Sequence, residues 1–413
     1  MELHLDWGAS AFARRLVYLA VAGLGVAVVT RRAELVAFAA PALVALSAWR
    51  APRPRSVRAT TQLSARRAYE GEQVAVEVRV EGAEDCGLEV LLHPFDGVQA
   101  VRAPGRGDHG GAVLVFQVDR WGRRVPGVVE VVMWDRYRMS ECRFSTPLPP
   151  LACYPRPALC RGTPALGRLA VRSGDHRSRL AGEGVEFVGV RQYATGDRQR
   201  SINWAATTRR GRMQVNTFAA ERSQDVVLIV DAGSEVGRPG STSVDKSLRG
   251  ALGLARAYLD ARDRVGFVAV GQRLLWLAPG MGNRQFFRMT EAILEVKPGS
   301  SPDVDVKRLP RAALAPGVAV VAFSPLLDEE FVEALRDLRQ RNFSVVVVDV
   351  LNVELGGKGS RLDRLARRVW YMERQALMFS LSQLGVPVVA WDGEAPLALP
   401  AQRRSRQVAG SRR

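Results

Sequence analysis

Eight residues between positions 191 and 204 are of kinds that bind and orient: Arg191, Tyr193, Gly196, Asp197, Arg200, Ile202, Asn203 and Trp204. A guanidinium and a carboxylate this close in sequence can form a bidentate pair that pins an irregular segment. Asp197 has Arg191, Arg200 and the nearby Arg209 as candidate partners, with Tyr193 and Trp204 as packing anchors. Arg, Tyr and Trp are also the residue types enriched at interface hot spots. The segment therefore has two readings, a structural ion-pair network and a docking or ligand surface. Just beyond it, the apolar run Val226 to Val230 ends in Asp231. That pattern predicts a buried strand with a carboxylate at its C-terminal end, the edge at which open α/β sheets bind ligands and partners.

Enzyme signatures are missing. There is no Gly-x-Ser-x-Gly, no His-Glu-x-x-His and no Walker loop. His4, His93, His109 and His176 are scattered with no partner spacing and read as solvated loop residues. Cys86, Cys142, Cys153 and Cys160 form no Cys-x-x-Cys pair, so neither a zinc ribbon nor a redox motif is supported. Reduced, partly buried thiols suit the cytoplasm.

Several elements must position these residues. Residues 224–395 alternate short β-branched runs with amphipathic stretches. Strands are expected at 225–231, 264–270, 272–277, 317–323, 344–350 and 387–391, and helices at 243–262, 284–296, 328–341 and 360–384. Such alternation means a mostly parallel sheet covered on both faces, with 273–277 as an antiparallel edge. Residues 51–160 read as β-rich, because Gln73 to Val80 alternates cleanly and Ala112 to Val118 and Val128 to Trp134 are similar. An immunoglobulin-like β-sandwich is the expectation. Residues 161–223 form a connector that carries the Arg/Tyr/Gly-Asp/Trp motif, and its first part, Pro164 to Gly182, is polar and basic. Residues 396–413 read as a basic disordered tail.

The first fifty residues contain two apolar runs, Leu16 to Thr30 and Ala33 to Trp49, separated by Arg31 and Arg32. They predict a transmembrane helical hairpin, kinked at Pro41 in its second arm. Arg14 and Arg15 precede it and Arg50, Arg53, Arg55 and Arg58 follow, which places both ends, and the soluble domains, on the cytoplasmic side of a multi-pass membrane protein.

The 413 residues carry a formal charge of +17, and all but four of the 59 basic residues are arginine. The arginine bias reads as a GC-rich bacterial coding genome. The basic residues are spread along the chain and no nucleic-acid motif is present, so nucleic acid is not the expected partner. An anionic membrane surface accounts for the charge better.

Taken together, two short N-terminal helices, a β-rich domain, the Arg-x-Tyr-x-x-Gly-Asp…Arg-x-Ile-Asn-Trp segment and an α/β domain resemble the DUF58 family of bacterial proteins. The resemblance also takes in Thr207, Arg209, Gly211 and the Phe218…Glu221-Arg222 stretch. It implies a von Willebrand factor A-like (Rossmann-like) α/β domain, membrane anchoring, and a MoxR-type AAA+ ATPase as protein partner. Domains of that type often hold Mg²⁺ through an Asp-x-Ser-x-Ser loop with a distant Thr and Asp. Here the loop reads Asp231-Ala232-Gly233-Ser234-Glu235, and Pro325 stands where a carboxylate is common. Gly233 has no side-chain ligand, so no cofactor is expected; Asp231, Glu235 and Asp328 remain the candidate residues of a degenerate metal site. The expected function is a non-enzymatic, membrane-anchored scaffold or adaptor. The alternative is a metal-dependent enzyme of cell-envelope metabolism using those carboxylates.

Overall fold

A computed structural model describes residues 2–47, 53–83, 86–101, 105–107, 111–162, 182–195, 197–218, 225–300, 313–351 and 360–399. His109, His176, Gly196, Glu221, Arg222 and the tail from residue 400 lie outside these. The chain divides into two compact units. One comprises Met1–Arg156 with Arg238–Asp245 and Thr290–Glu295; the other comprises Pro157–Gly237, Lys246–Met289 and Val296–Arg413.

Alternation with a period of two builds the first unit. Gln73–Glu81 buries Val74, Val76, Val78 and Val80, and Gly127–Trp134 buries Val129, Val131 and Met133. Two five-stranded antiparallel sheets share this core. One runs Glu2–His4, Ser56–Leu63, Gln73–Glu81, Gly111–Val118, Val98–Ala100. The other runs Gly8–Ala9, Ser140–Pro147, Gly127–Trp134, Gly87–Pro94, Gly105–Gly107. The layered β unit expected from the alternation is present.

Its first strands correct the reading of residues 1–50 as hairpin alone. Glu2–His4 pairs with Ser56–Arg58, Gly8–Ala9 pairs with Ser140–Glu141, and Leu5 and Trp7 pack against the shared core. Strands of three and two residues are too short to display an alternation, and their pairing comes from distant partners. They occupy one edge of each sheet, which satisfies backbone groups that an edge otherwise leaves open.

From there the chain turns directly into Ala11–Thr30. Ser10 is the N-cap: its Oγ accepts from Ala13 N at 3.0 Å and donates to the Arg138 carbonyl. This helix of 20 residues, with a hydropathy of 1.7, is long and apolar enough to cross a membrane. Val36–Ser47 packs beside it and contains Pro41. Small residues meet there, with a Cβ added to Gly23 lying only 3.2 Å from Ala39 Cβ, and the buried residues of the two helices, Ala13, Ala20 and Ala27 on one and Ala39 and Ala42 on the other, are all alanine. The large side chains point outward: Tyr18, Val21, Val28, Val29, Phe38 and Val44 are all exposed.

The second unit contains a six-stranded sheet in the order Leu274–Gly280, Arg264–Val270, Asp225–Asp231, Ala319–Ser324, Ser344–Asp349, Val388–Ala390. All neighbours are parallel except the Leu274–Gly280 edge, which is antiparallel. Strands and helices fall within a few residues of their expected positions. Alternate residues face opposite layers. Val320 and Ala322 share a core cluster with Phe331, Leu335, Leu338 and Leu381 from the helices Glu329–Gln340 and Arg361–Gln383. Phe323 faces the helix Ser243–Asp260, where Gly250 leaves room for its ring and for Trp391. The chain winds outward from the central strand to one edge, returns, and winds to the other. Asp225–Asp231 and Ala319–Ser324 therefore flank the switch point of a doubly wound sheet.

The stretch assigned to a disordered tail at 396–413 begins too early. Leu397 is buried, accepts from Arg161 N at 2.9 Å and donates to Leu159 O at 2.8 Å. This entering segment also lies on the helix Ser243–Asp260, where Ala158 N donates to Arg249 O at 2.9 Å. A Cβ on Gly253 would stand 2.2 Å from the Ala158 carbonyl oxygen. Glycine to alanine inside a helix ordinarily stabilises by about 1 kcal/mol. Here the sign is expected to reverse, with Gly253→Ala destabilising by roughly 1–3 kcal/mol through overpacking; thermal melts of the two proteins measure it.

Candidate functional site

The Arg191–Arg209 segment folds as a two-stranded hairpin with a helical insert. Gly182–Gln192 pairs antiparallel with Gln214–Phe218, bringing Arg191 opposite Val215. Between them lie a 3-10 turn at Gln199–Ser201 and the short helix Trp204–Arg210. The residue types explain these local forms. Asn203 is the N-cap, its Oδ1 accepting from Ala206 N at 2.9 Å while its Nδ2 donates to Asn216 Oδ1 at 2.8 Å. Gly211 closes the helix with φ 63, a left-handed conformation that glycine adopts without strain. Arg209 and Arg210 occupy the last turn, where cations complement the helix dipole.

Of the three arginines considered for Asp197, the structure selects Arg191. Nη1 donates to Oδ2 at 2.7 Å and Nη2 donates to Oδ1, while Ala194 N also donates to Oδ2 at 2.8 Å. The Arg191 guanidinium and then the Ala194 N–H hold the Asp197 carboxyl below its usual range. This clamp ties the end of the first strand to the turn. The backbone adds Tyr193 N to Met213 O at 2.9 Å and Asn203 N to Gln214 O at 2.8 Å. Thr207 Oγ1 accepts from Gln214 N at 3.0 Å.

Trp204 is the correction. Expected as a packing anchor, it is 67% exposed at the start of its helix. Three and four residues on, Thr207 and Thr208 leave no apolar stripe for it to join, so a seven-residue helix cannot bury it by its own amphipathicity. Tyr193 is half-buried, whereas Arg198, Arg200, Arg209, Arg210, Arg212 and Met213 are exposed. The polar framework is thus spent on shape, and the aromatic and cationic groups are left facing outward.

The sheet edge gives a second cluster. Asp231 is 1% exposed and fully engaged. Ser324 Oγ, at the end of the neighbouring parallel strand, donates to its Oδ2 at 2.6 Å, and Gly233 N donates to Oδ1 at 3.0 Å. Burial pushes the Asp231 carboxyl up to about 6, opposed by the Ser324 hydroxyl and the Gly233 N–H and reinforced by Asp328. Asp328 caps the helix Glu329–Gln340, its Oδ1 accepting from Glu330 N at 2.9 Å. The structure therefore brings Asp231 and Asp328 together across Gly233 and leaves Glu235 exposed in the loop. No group of three or more His, Cys, Asp or Glu is arranged to hold a metal among the described residues.

Sequence reasoning missed two members of this edge. Ser324 precedes Pro325 and buried Leu326, whose φ of 53 is unusual for leucine and whose N–H donates to Ser324 Oγ at 2.9 Å. Asp349 ends the next strand as Asp231 ends its own; it accepts from Leu351 N at 2.9 Å and from the buried Arg374. Burial raises its carboxyl, and the Arg374 charge opposes that. The signal was available, since both strands are apolar runs closed by aspartate.

Residues 189–362 match a family described as "Protein of unknown function DUF58". The matched stretch holds the Arg191–Asp197 clamp, the capped Trp204 helix and the sheet from Asp225 to the start of the last long helix. It supports the DUF58 family for this part of the chain. No curated protein matches it.

The raised carboxyl makes a pH prediction. A folded-state value above the ordinary one near 4 means that the protonated form is favoured by folding. The contribution is fully present below about pH 4 and is lost as the pH rises through about 6. Asp231→Asn stays neutral throughout and keeps an acceptor for Gly233 N. Its stability relative to the wild type is expected to rise between pH 4 and 7, by about 3 kcal/mol at most. Melting temperatures of both proteins across that range measure it; a difference independent of pH would overturn the assignment.

Proposed function

We propose that this chain is a non-enzymatic adaptor, anchored in a membrane by its N-terminal helical hairpin, that docks a protein partner through the Trp204 surface and the adjoining α/β domain. The observation that carries it is Trp204: a large aromatic ring held in solvent by an N-capped helix and a bidentate Arg–Asp clamp. Ordering such a group outward costs hydrophobic burial, and interfaces recover that cost at buried aromatic and arginine anchors. The partner class implied by the resemblance is a MoxR-type AAA+ ATPase. A von Willebrand factor A-like identity for the α/β domain belongs to the same reading. What supports it is the sheet order with a single antiparallel edge and an aspartate at the switch point. The metal-enzyme alternative gains no support from Asp231, whose oxygens are taken by Ser324 and loop N–H groups.

Support for the anchor comes from the hairpin's inside-out character, alanine and glycine within and large apolar side chains without, which is how helices pack in lipid. Replacing Val21 and Val28 with arginine leaves the small-residue seam intact. The double variant is expected to move from the salt-washed membrane pellet to the soluble fraction, and an unchanged distribution would count against anchoring. Cross-linking and affinity purification of the full-length chain from native membranes tests docking. Wild type is expected to recover an AAA+ ATPase and Trp204→Ala, at a largely exposed position, to lose it. Equal recovery by both, or by neither, would sink the docking assignment.

A further inference from the structure

The helix Arg361–Gln383 has two apolar faces, and the sheet uses only one. Arg374 and Leu381 are buried, and Leu377 and Met378 pack on the core of the α/β unit. On the other side, Leu362, Leu365, Val369, Met372 and Phe379 are exposed by 77%, 52%, 56%, 64% and 65%. With exposed Ala376 between the last two, these positions step by 3, 4, 3, 4 and 3 residues. That is the a/d repeat of a coiled-coil seam, and its natural occupant is another helix. Scattered exposed apolar residues are normal, but a continuous stripe along one helix marks an interaction surface.

We propose that this stripe pairs with the same stripe of a second copy, in parallel. The charges beside the seam choose the occupant. With Leu362 at an a position, Arg368 falls at g and Glu373 at e of the following heptad. In a parallel two-stranded pair, the g residue of one helix meets the next e residue of the other. Arg368 then faces Glu373 of the second copy, and the reciprocal pair forms by symmetry, as an isologous interface requires. An antiparallel pairing sets g beside g and stacks the arginines at 361 and 368 instead. Neither Arg368 nor Glu373 has an ion-pair partner among the described residues. The seam is only about two and a half heptads long, too short to hold two isolated peptides together. Here the helix is already formed, capped by the Ser360–Asp363 capping box and held on its own unit in its second half by Arg374, Leu377, Met378 and Leu381, so pairing does not bear the cost of making it. This inference does not depend on the docking role of Trp204.

The test uses the full-length chain in detergent and in reconstituted bilayers. Leu365→Cys and Phe379→Cys are each introduced with the half-buried Cys86 and Cys160 replaced by serine, oxidised, and compared with that serine background, in which Cys142 and Cys153 are buried. The two positions lie about 21 Å apart along the helix. Parallel pairing links each to its own counterpart; absence of a self-link at both overturns the proposal, as an antiparallel pair or a different partner would give. Met372→Asp places a charge in the seam and is expected to shift the monomer–dimer midpoint by roughly tenfold or more with an unchanged melting temperature. Arg368→Glu and Glu373→Arg are each expected to weaken the dimer, and the double exchange to restore it. A dimer indifferent to the single exchanges would rule out the parallel register.

Discussion

Everything in the α/β unit depends on the placement of one strand. Asp225–Asp231 is hydrogen-bonded in parallel on both sides, to Arg264–Val270 and to Ala319–Ser324, and Val226 to Val230 are fully buried. A strand in that position has no face that can tolerate a polar residue until it ends. Carboxylates therefore stand only at its two ends, Asp225 and Asp231, and Asp231 emerges where the chain reverses its winding. The Ser324 hydroxyl meets it there because the two neighbours run in the same direction and in register. Asp231 is thus a product of sheet topology before it is anything else, and its protonation behaviour follows from the depth at which that topology leaves it.

The hairpin that carries Arg191 and Trp204 obeys a different rule. Among its described side chains Val215 is the buried apolar one, and hydrogen bonds hold the remainder in place. Each has an identifiable local source: the Arg191 fork on Asp197, the Asn203 cap, the Gly211 turn, and Thr207 accepting from Gln214. Because these contacts are near-neighbour in sequence and largely solvent-exposed, they define a shape with modest stability. A defined outline with exposed aromatic and basic groups results.

How much of this was legible in the sequence follows from what kind of force makes each part. The sheet strands and their helices were readable because buried runs such as VVLIVD and SVVVVD have no other place to go. The β unit was readable from QVAVEVRV, where every second residue must face the same way. The Arg191–Asp197 partnership was readable as a choice among arginines, which geometry alone could settle. Trp204 was misread because residue type predicts burial on average, and a seven-residue helix with no apolar stripe is an exception to the average. The strands at Glu2–His4 and Gly8–Ala9 were invisible because pairing, not pattern, creates them. The second face of Arg361–Gln383 was also hidden: a helix apolar on two sides looks in sequence like one that is simply well buried.

The seating of those first nine residues has a consequence for how the molecule is made. Gly8–Ala9 needs Ser140–Glu141, and Glu2–His4 needs Ser56–Arg58. Both strands are therefore made before the partners that seat them. Until the strand at Ser140 has been released, Gly8–Ala9 has no partner, and the adjoining helix lacks the Arg138 and Met139 carbonyls that receive Ser10. Non-local closure of this kind is slow and exposes strand edges while it waits. Closing that edge therefore comes after the strands it completes have formed, and the Ser10 cap that starts Ala11–Thr30 falls into place in the same step.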